Sequence, residues 1–385
     1  MAVGCDLSQK RGCCAVRKIG ALLVACSLFA TGCQSQSSQR ILEKLGVISA
    51  VGYDLRDDGN LLGTYVIPNF TETGGEKIDV LSAMGHTSKE LRFRMSRQSE
   101  RKLVSGQIRA VLYGEDLAKK GLLSISDTLF RDAEIGSQIH LAVVQGEAQS
   151  VFHKRYPDKP SIDLYLYRMM RKEMDENTIP KSNLHIFIHD VNGVGVDPVL
   201  PYLRLGKEDV IVDGVAVFHE DKMVGRLSAE EARLLSYLEG KKSLGELDVQ
   251  LPEVSTSGEQ AHAVLMYMHI DRKVDVNKKD GVPSIHYDLN IRGAITEYSG
   301  SQDLEQMPVV KKLEQSLQKK LQQRMDKVID KLQNEYHSDP MGLGEMYRSK
   351  GFAPELDQKT WNELYAKAKV DVKIKVSILQ TGMIH

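Results

Sequence analysis

Cysteine is confined to the start of this 385-residue chain: Cys5, Cys13, Cys14, Cys26 and Cys33 are the whole complement. Everything beyond Cys33 therefore lacks both a disulfide and a thiolate metal site, and its stability must come from packed cores. A membrane-spanning run is missing near the start as well. The apolar stretch from Ile19 to Ala30 falls short of the roughly 20 residues that cross a bilayer. Nor is there a strong charge of one sign. The 51 basic and 52 acidic residues nearly cancel, and without the first 32 residues 47 face 51, a net charge near −4. That sign argues against nucleic acid as a partner, because phosphates need a basic face. Catalytic signatures are absent too: there is no phosphate-binding glycine loop, no Gly-x-Ser-x-Gly elbow and no cysteine free to act as nucleophile. The sequence names no catalytic residue, no metal ligand and no cofactor.

What is present begins with an export signal. Lys10, Arg11, Arg17 and Lys18 precede the short apolar run, which ends in Leu28-Phe29-Ala30-Thr31-Gly32-Cys33 and gives way to the polar Gln34-Ser35-Gln36-Ser37-Ser38-Gln39. Small residues before a cysteine, followed at once by a polar tether, read as a lipobox. Residues 1–32 are then a lipoprotein signal peptide, Cys33 is the lipidated new N-terminus, and residues 33–40 are the tether. An ordinary secretory signal with an incidental cysteine would share the small residues but has no need of the Gly-Cys junction and tether.

About 350 residues remain after Cys33, too many for one core, and the pattern of elements predicts an α+β, multi-domain chain with mixed and antiparallel sheets. Residues 41–204 alternate strands and helices. Gly46 to Tyr53 and Leu61 to Ile67 read as a hairpin across Asp57-Asp58-Gly59-Asn60, and Thr71 to Gly75 as loop. Thr87 to Leu103 reads as a helix carrying Arg92, Arg94, Arg97, Arg101 and Lys102. Such a row suits a lipid-headgroup patch or a solvated face, and Glu90 and Glu100, which dilute the charge, favour the solvated face. His185 and His189 share one face of a further helix, a spacing that suits a metal, but Leu184, Phe187, Ile188 and Val191 make a complementary apolar stripe and no third ligand stands nearby. His219-Glu220-Asp221 reads as a turn. Residues 205–258 read as a small middle α/β domain, with a capping box in Ser228-Ala229-Glu230-Glu231 opening a helix that stops at Gly240.

Residues 259–385 are the most regular. Alternating apolar positions from Val264 to Val276 and from Ile285 to Ile295 flank the turn Lys279-Asp280-Gly281, and Val370 to Ile378 adds a third strand. A long helix starts at Pro308 and repeats Leu313, Leu317, Leu321, Met325, Val328 and Leu332 until Ser338-Asp339-Pro340. Its apolar side predicts packing against an antiparallel sheet. A coiled coil is the other option, but the four-residue spacing drifts from a heptad seam. Trp361 reads as core.

Several segments resemble a known family in the same order. Leu45-Gly46-Val47-Ile48-Ser49-Ala50-Val51-Gly52-Tyr53-Asp54, Gly106-Gln107-Ile108-Arg109-Ala110-Val111, Asp197-Pro198-Val199-Leu200-Pro201, Gly214-Val215-Ala216-Val217-Phe218, Lys222-Met223-Val224-Gly225 and Gly342-Leu343-Gly344-Glu345 are similar to stretches of the spore-germination receptor C-subunit lipoproteins, the Ger(x)C family. The chain departs from that family at Gln34-Ser35, where a tryptophan and an acid are common. The resemblance implies a lipoprotein subunit of a nutrient germinant receptor on the outer face of the spore inner membrane. It also implies two membrane-embedded partner subunits, with membrane lipid engaged through Cys33. The alternative is an extracytoplasmic solute-binding lipoprotein of a transporter, which would have two similar α/β lobes about a cleft. The missing catalytic signatures together with the resemblance point away from an enzyme, and a cell-envelope hydrolase would need a site that the sequence does not offer.

Overall fold

The computed structural model describes residues 44–70, 76–239, 247–254 and 260–381. The leader, Cys33, the tether, the loop from Thr71 to Gly75 and the Gly240 stop lie outside them. The first hairpin forms, β2 (Ala50–Leu55) pairing antiparallel with β3 (Leu61–Phe70), but the strand read from Gly46 to Tyr53 divides, and Gly46 and Val47 belong to a separate short strand. A further antiparallel strand, β4 (Glu76–Gly85), pairs with β3 and has no counterpart in the sequence reading. The arginine-bearing helix is shorter than expected: α1 (Ser88–Ser96) is capped by the Thr87 hydroxyl, and residues 102–104 form β5 beside β1 (Leu45–Val47). Burial of Leu103 in a strand takes those residues from the helix.

Next come β6 (Ala110–Gly114), α2 (Glu115–Lys120), α3 (Leu123–Phe130), β7 (His140–Val144), α4 (Ala148–His153), α5 (Ile162–Asp175), α6 (Leu184–Asn192) and β8 (Val199–Leu205). β9 (Val210–His219) and β10 (Lys222–Leu227) form a hairpin, and α7 (Ala229–Leu238) follows. One eight-stranded sheet runs β10-β9-β8-β7-β6-β2-β3-β4. Its centre, β2, β6, β7 and β8, is parallel, and each edge is an antiparallel hairpin. Strands buried on both faces must be apolar throughout, and β6 (Ala-Val-Leu-Tyr-Gly) is buried end to end. Alternate residues serve opposite cores. Val111 and Tyr113 join Leu91, Leu117, Leu129 and Phe187 of α1, α2, α3 and α6 on one face. Ala110 and Leu112 join Val151, Leu166 and Met170 of α4 and α5 on the other.

The strands expected in a middle unit at 205–258 thus extend the first sheet across the expected division at 204/205. The apolar backs of β9, Val215 and Val217, complete the same core as α5, which draws the hairpin in. The capping box at Ser228 and Glu231 is present in full.

The second sheet runs β11 (Leu247–Val254), β12 (Gln260–Lys279), β13 (Val282–Tyr298), β14 (Lys369–Thr381). β12 and β13 form the expected long hairpin, but β14 pairs parallel with β13, so the sheet is mixed rather than wholly antiparallel. The helical connection through α8 (Met307–Asp330), a π turn (Lys331–Glu335), α9 (Leu343–Ser349) and α10 (Gln358–Tyr365) carries the chain back to the same end of the sheet, which dictates that direction. Leu313, Leu317, Leu321 and Met325 of α8 are buried, as their spacing requires. The helix also closes the free edge of β14: the Gln322 amide accepts from Ile374 N–H at 3.2 Å and donates to the Val372 carbonyl at 2.6 Å, and Glu314 accepts from Ile378 N–H at 2.8 Å. An edge covered this way offers no template to another strand. Residues from Gly46 onward form one compact unit, and a single apolar core passes from the α5 face of the first sheet to the α8 face of the second.

Candidate functional site

Two segments far apart in sequence meet in space, one opening the family-like stretch Asp197 to Pro201 and the other ending the long helical arm at Ser338-Asp339. Asp197, just before β8, and Asp339, just after the π turn, bond reciprocally: Asp197 N–H donates to the Asp339 carbonyl at 2.9 Å, and Asp339 N–H to Asp197 Oδ2 at 2.8 Å. The other Asp197 oxygen accepts from Glu220 N–H at 2.8 Å, with Glu220 in the left-handed region at φ 55°. Beside it the Ser338 hydroxyl donates to the Phe218 carbonyl at 2.6 Å, and the Tyr365 hydroxyl to the Ser338 carbonyl at 2.9 Å. Gly344 N–H and the Trp361 indole N–H both donate to Asp339 Oδ2, at 3.0 and 3.1 Å. Trp361 is core, as read, and it is also a polar contact.

Glycine permits this closeness. A Cβ on Gly344 would lie 2.4 Å from the Gly195 Cα and 2.6 Å from the Trp361 ring, and one on Gly195, at φ +83°, would strike the Gly344 backbone at 2.5 Å. Backbone cannot give way as a flexible side chain can, so both positions require glycine. Gly225 is fixed differently: the Tyr336 ring lies where its Cβ would stand, and the Tyr336 hydroxyl donates to the Arg226 carbonyl at 2.9 Å.

Ser338, Asp339 and Asp197 are sealed, at 0, 1 and 3 % exposure. Burial pushes the Asp339 carboxyl up to about 7 and the Asp197 charge adds to it, while the Gly344, Leu343 and Trp361 N–H groups oppose the rise. His219 is raised by its contact with Asp197, at 3.5 Å. The Asp339 carboxyl titrates near neutral pH, but the junction presents no group to a substrate, because both carboxylates face inward. Its chemistry is that of a lock between the first sheet and the helical layer over the second.

The other sequence candidates disperse. His185 and His189 stand on the exposed side of α6, where His189 pairs with Asp190 at 2.9 Å. Among the described residues no three His, Cys, Asp or Glu side chains are grouped to hold a metal, and no helix is long and apolar enough to cross a membrane. Glu231 caps α7 and meets Lys331 at 3.2 Å, while Glu230 pairs with Arg324, so both acids tie α7 to the long helical arm. Sequence reading passed over Asp197 and Asp339. The available signal is that each precedes a proline, which holds its backbone extended.

The fold thus defines a class: an α+β protein with two mixed sheets, layered helices and a sealed polar lock where the first sheet meets the helical layer. A crystal structure described as the GerBC protein shares the fold, with a TM-score of 0.56 and 20 % identity, over 86 % of this chain and 96 % of that one. The family described as "Spore germination protein N-terminal domain" matches residues 38–205, and "Spore germination B3/ GerAC like, C-terminal" matches residues 213–382. The chain belongs to the spore germination GerAC family. Spore germination protein GerQC of Bacillus cereus is 24 % identical over 362 residues, covering 94 % of this chain and 98 % of its own. Spore germination protein KC of Bacillus subtilis (strain 168) is 25 % identical over 401 aligned residues, covering 96 and 97 %.

Proposed function

We propose that this protein is the lipid-anchored subunit of a nutrient germinant receptor, carried on the outer face of the spore inner membrane by Cys33 and working with two membrane-embedded subunits to trigger germination. The observation that supports this most is the continuous match to the germination family over 38–205 and 213–382, beginning five residues after a lipobox cysteine. The subunit works through surface and anchor and carries no reaction of its own. A transporter's solute binder is disfavoured, because the two sheets differ in order and size and share one core in place of a hinged cleft.

The anchor is tested directly. Two acyl chains, at about 0.8 kcal/mol per buried methylene, hold a protein on a bilayer where one is marginal. Cys33→Ala is expected to abolish incorporation of a fatty-acid probe and mature anchoring. Probe that persists in the variant would place the lipid elsewhere and end the lipobox reading.

The receptor role is tested in the spore. Deletion of the protein is expected to block the response to nutrients while leaving germination by agents that bypass receptors intact, because only sensing is removed. A normal nutrient response, together with micromolar nutrient binding by the purified protein (about −8 kcal/mol by calorimetry), would instead support the solute binder.

A further inference from the structure

We propose that α1 and the turn that follows it form the surface by which this protein lies on an anionic lipid bilayer, with Phe93 entering the interface. The inference rests on the anchor reading above and adds which face meets the membrane.

Of the five basic residues that the sequence placed on one helix, Arg92 turns inward, its guanidinium 3.1 Å from both Ser105 Oγ and Asp132 Oδ2. Arg94 holds Glu90 at 2.7 Å, which occupies the acid that would dilute the face. The helix buries Leu91 and Met95 against the sheet, where a Cβ on Gly63 would meet both. On the side away from the sheet Phe93 stands 66 % exposed, with the Arg97 guanidinium 6.0 Å from its ring centre and Lys89 one turn earlier. Met84, 43 % exposed, adjoins through its carbonyl, which accepts from Arg94 at 2.8 Å. A large exposed aromatic flanked by cations on the outer side of a helix suits a headgroup boundary, where the ring is buried and the charges meet lipid phosphate.

Chain geometry selects the occupant. The compact unit begins at Gly46, whose Cβ position lies 2.8 Å from Leu103 and 3.5 Å from Arg101, so the chain from Cys33 joins the fold beside the turn that ends α1. Gly46 lies thirteen positions after Cys33. Fully extended that stretch spans at most about 45 Å, which limits how far this face can stand from a bilayer that holds the acyl chains.

The test uses the full acylated chain in vesicles of phosphatidylcholine with phosphatidylglycerol whose acyl chains carry bromine, a contact quencher of indole. Trp361, the sole tryptophan, is 1 % exposed and serves as a silent background. Phe93→Trp is expected to give blue-shifted emission that the brominated lipid quenches. Val224→Trp, an exposed position on β10 at the opposite edge of the eight-stranded sheet, is expected to escape quenching. Adding Lys89→Glu and Arg97→Glu to Phe93→Trp is expected to remove the quenching while the protein still floats with the vesicles through its acyl chains. Equal quenching at positions 93 and 224 in a floating protein overturns the proposed face and leaves the anchor standing. A chain that carries no acyl group and does not float overturns the anchor reading, and this inference with it.

Discussion

Leu321→Asp is expected to unfold the layer formed by α8 and the second sheet. Leu321 is fully buried midway along α8, between Leu317 and Met325. The substitution removes a leucine side chain, which costs about 2 to 5 kcal/mol when truncated in a core, and adds a carboxylate with no partner, which costs several more. A domain whose entire stability is about 5 to 15 kcal/mol does not absorb that sum. Because one apolar core joins this layer to the first sheet, the loss is expected to spread beyond α8. Gln318→Asp, exposed on the same helix, is the control and should stay within about 0.5 kcal/mol of the parent. Thermal unfolding followed by circular dichroism separates the two. Equal melting curves would mean that α8 does not pack as described.

Asp339→Ala is the second large effect, and its size depends on pH. The substitution leaves the Gly344 N–H and the Trp361 indole N–H buried without an acceptor, at about 1 to 3 kcal/mol each. The carboxyl titrates near 7 in the folded chain, raised by burial, against about 3.9 when unfolded. Between those values the folded chain holds a proton that the unfolded chain has lost. The resulting stabilisation is complete below about pH 4 and declines as pH rises through 7, the reverse of ordinary acid denaturation. Urea unfolding at pH 5 and pH 8 should therefore show a larger loss for Asp339→Ala at pH 5. Asp339→Asn keeps an acceptor and cannot ionise, so it should match or exceed the parent at pH 8. A parent chain whose stability rises from pH 5 to pH 8, with Asp339→Asn rising in parallel, would show that Asp339 is ionised throughout.

The face of α1 illustrates where sequence reading runs short. Charge counting made it a solvated helix, since Glu90 and Glu100 offset the arginines. Only the fold shows that Arg92 leaves the face, that Arg94 consumes Glu90, and that Phe93 points away from the sheet. The helical pattern could not fix the end of the helix, because the burial of Leu103 in β5 is a tertiary matter.

Local signals determined much by themselves. The four-residue spacing of Leu313, Leu317 and Leu321, the alternation on either side of Lys279-Asp280-Gly281, the capping box at Ser228 and the family-like segments each depend on neighbours within a turn or a pleat, where backbone periodicity dictates the face. Whatever depends on pairing between distant segments was left to the tertiary structure. Nothing in Val370 to Ile378 says whether it runs with or against β13, since alternation is the same in both directions. Nothing in β9 and β10 says which sheet they join. Asp197 and Asp339 are two acids before prolines until the chain folds, and become a lock only because Gly195 and Gly344 let the two backbones touch. The free energy of such a contact lies in desolvation and in hydrogen bonds across 142 residues, and no local pattern encodes either.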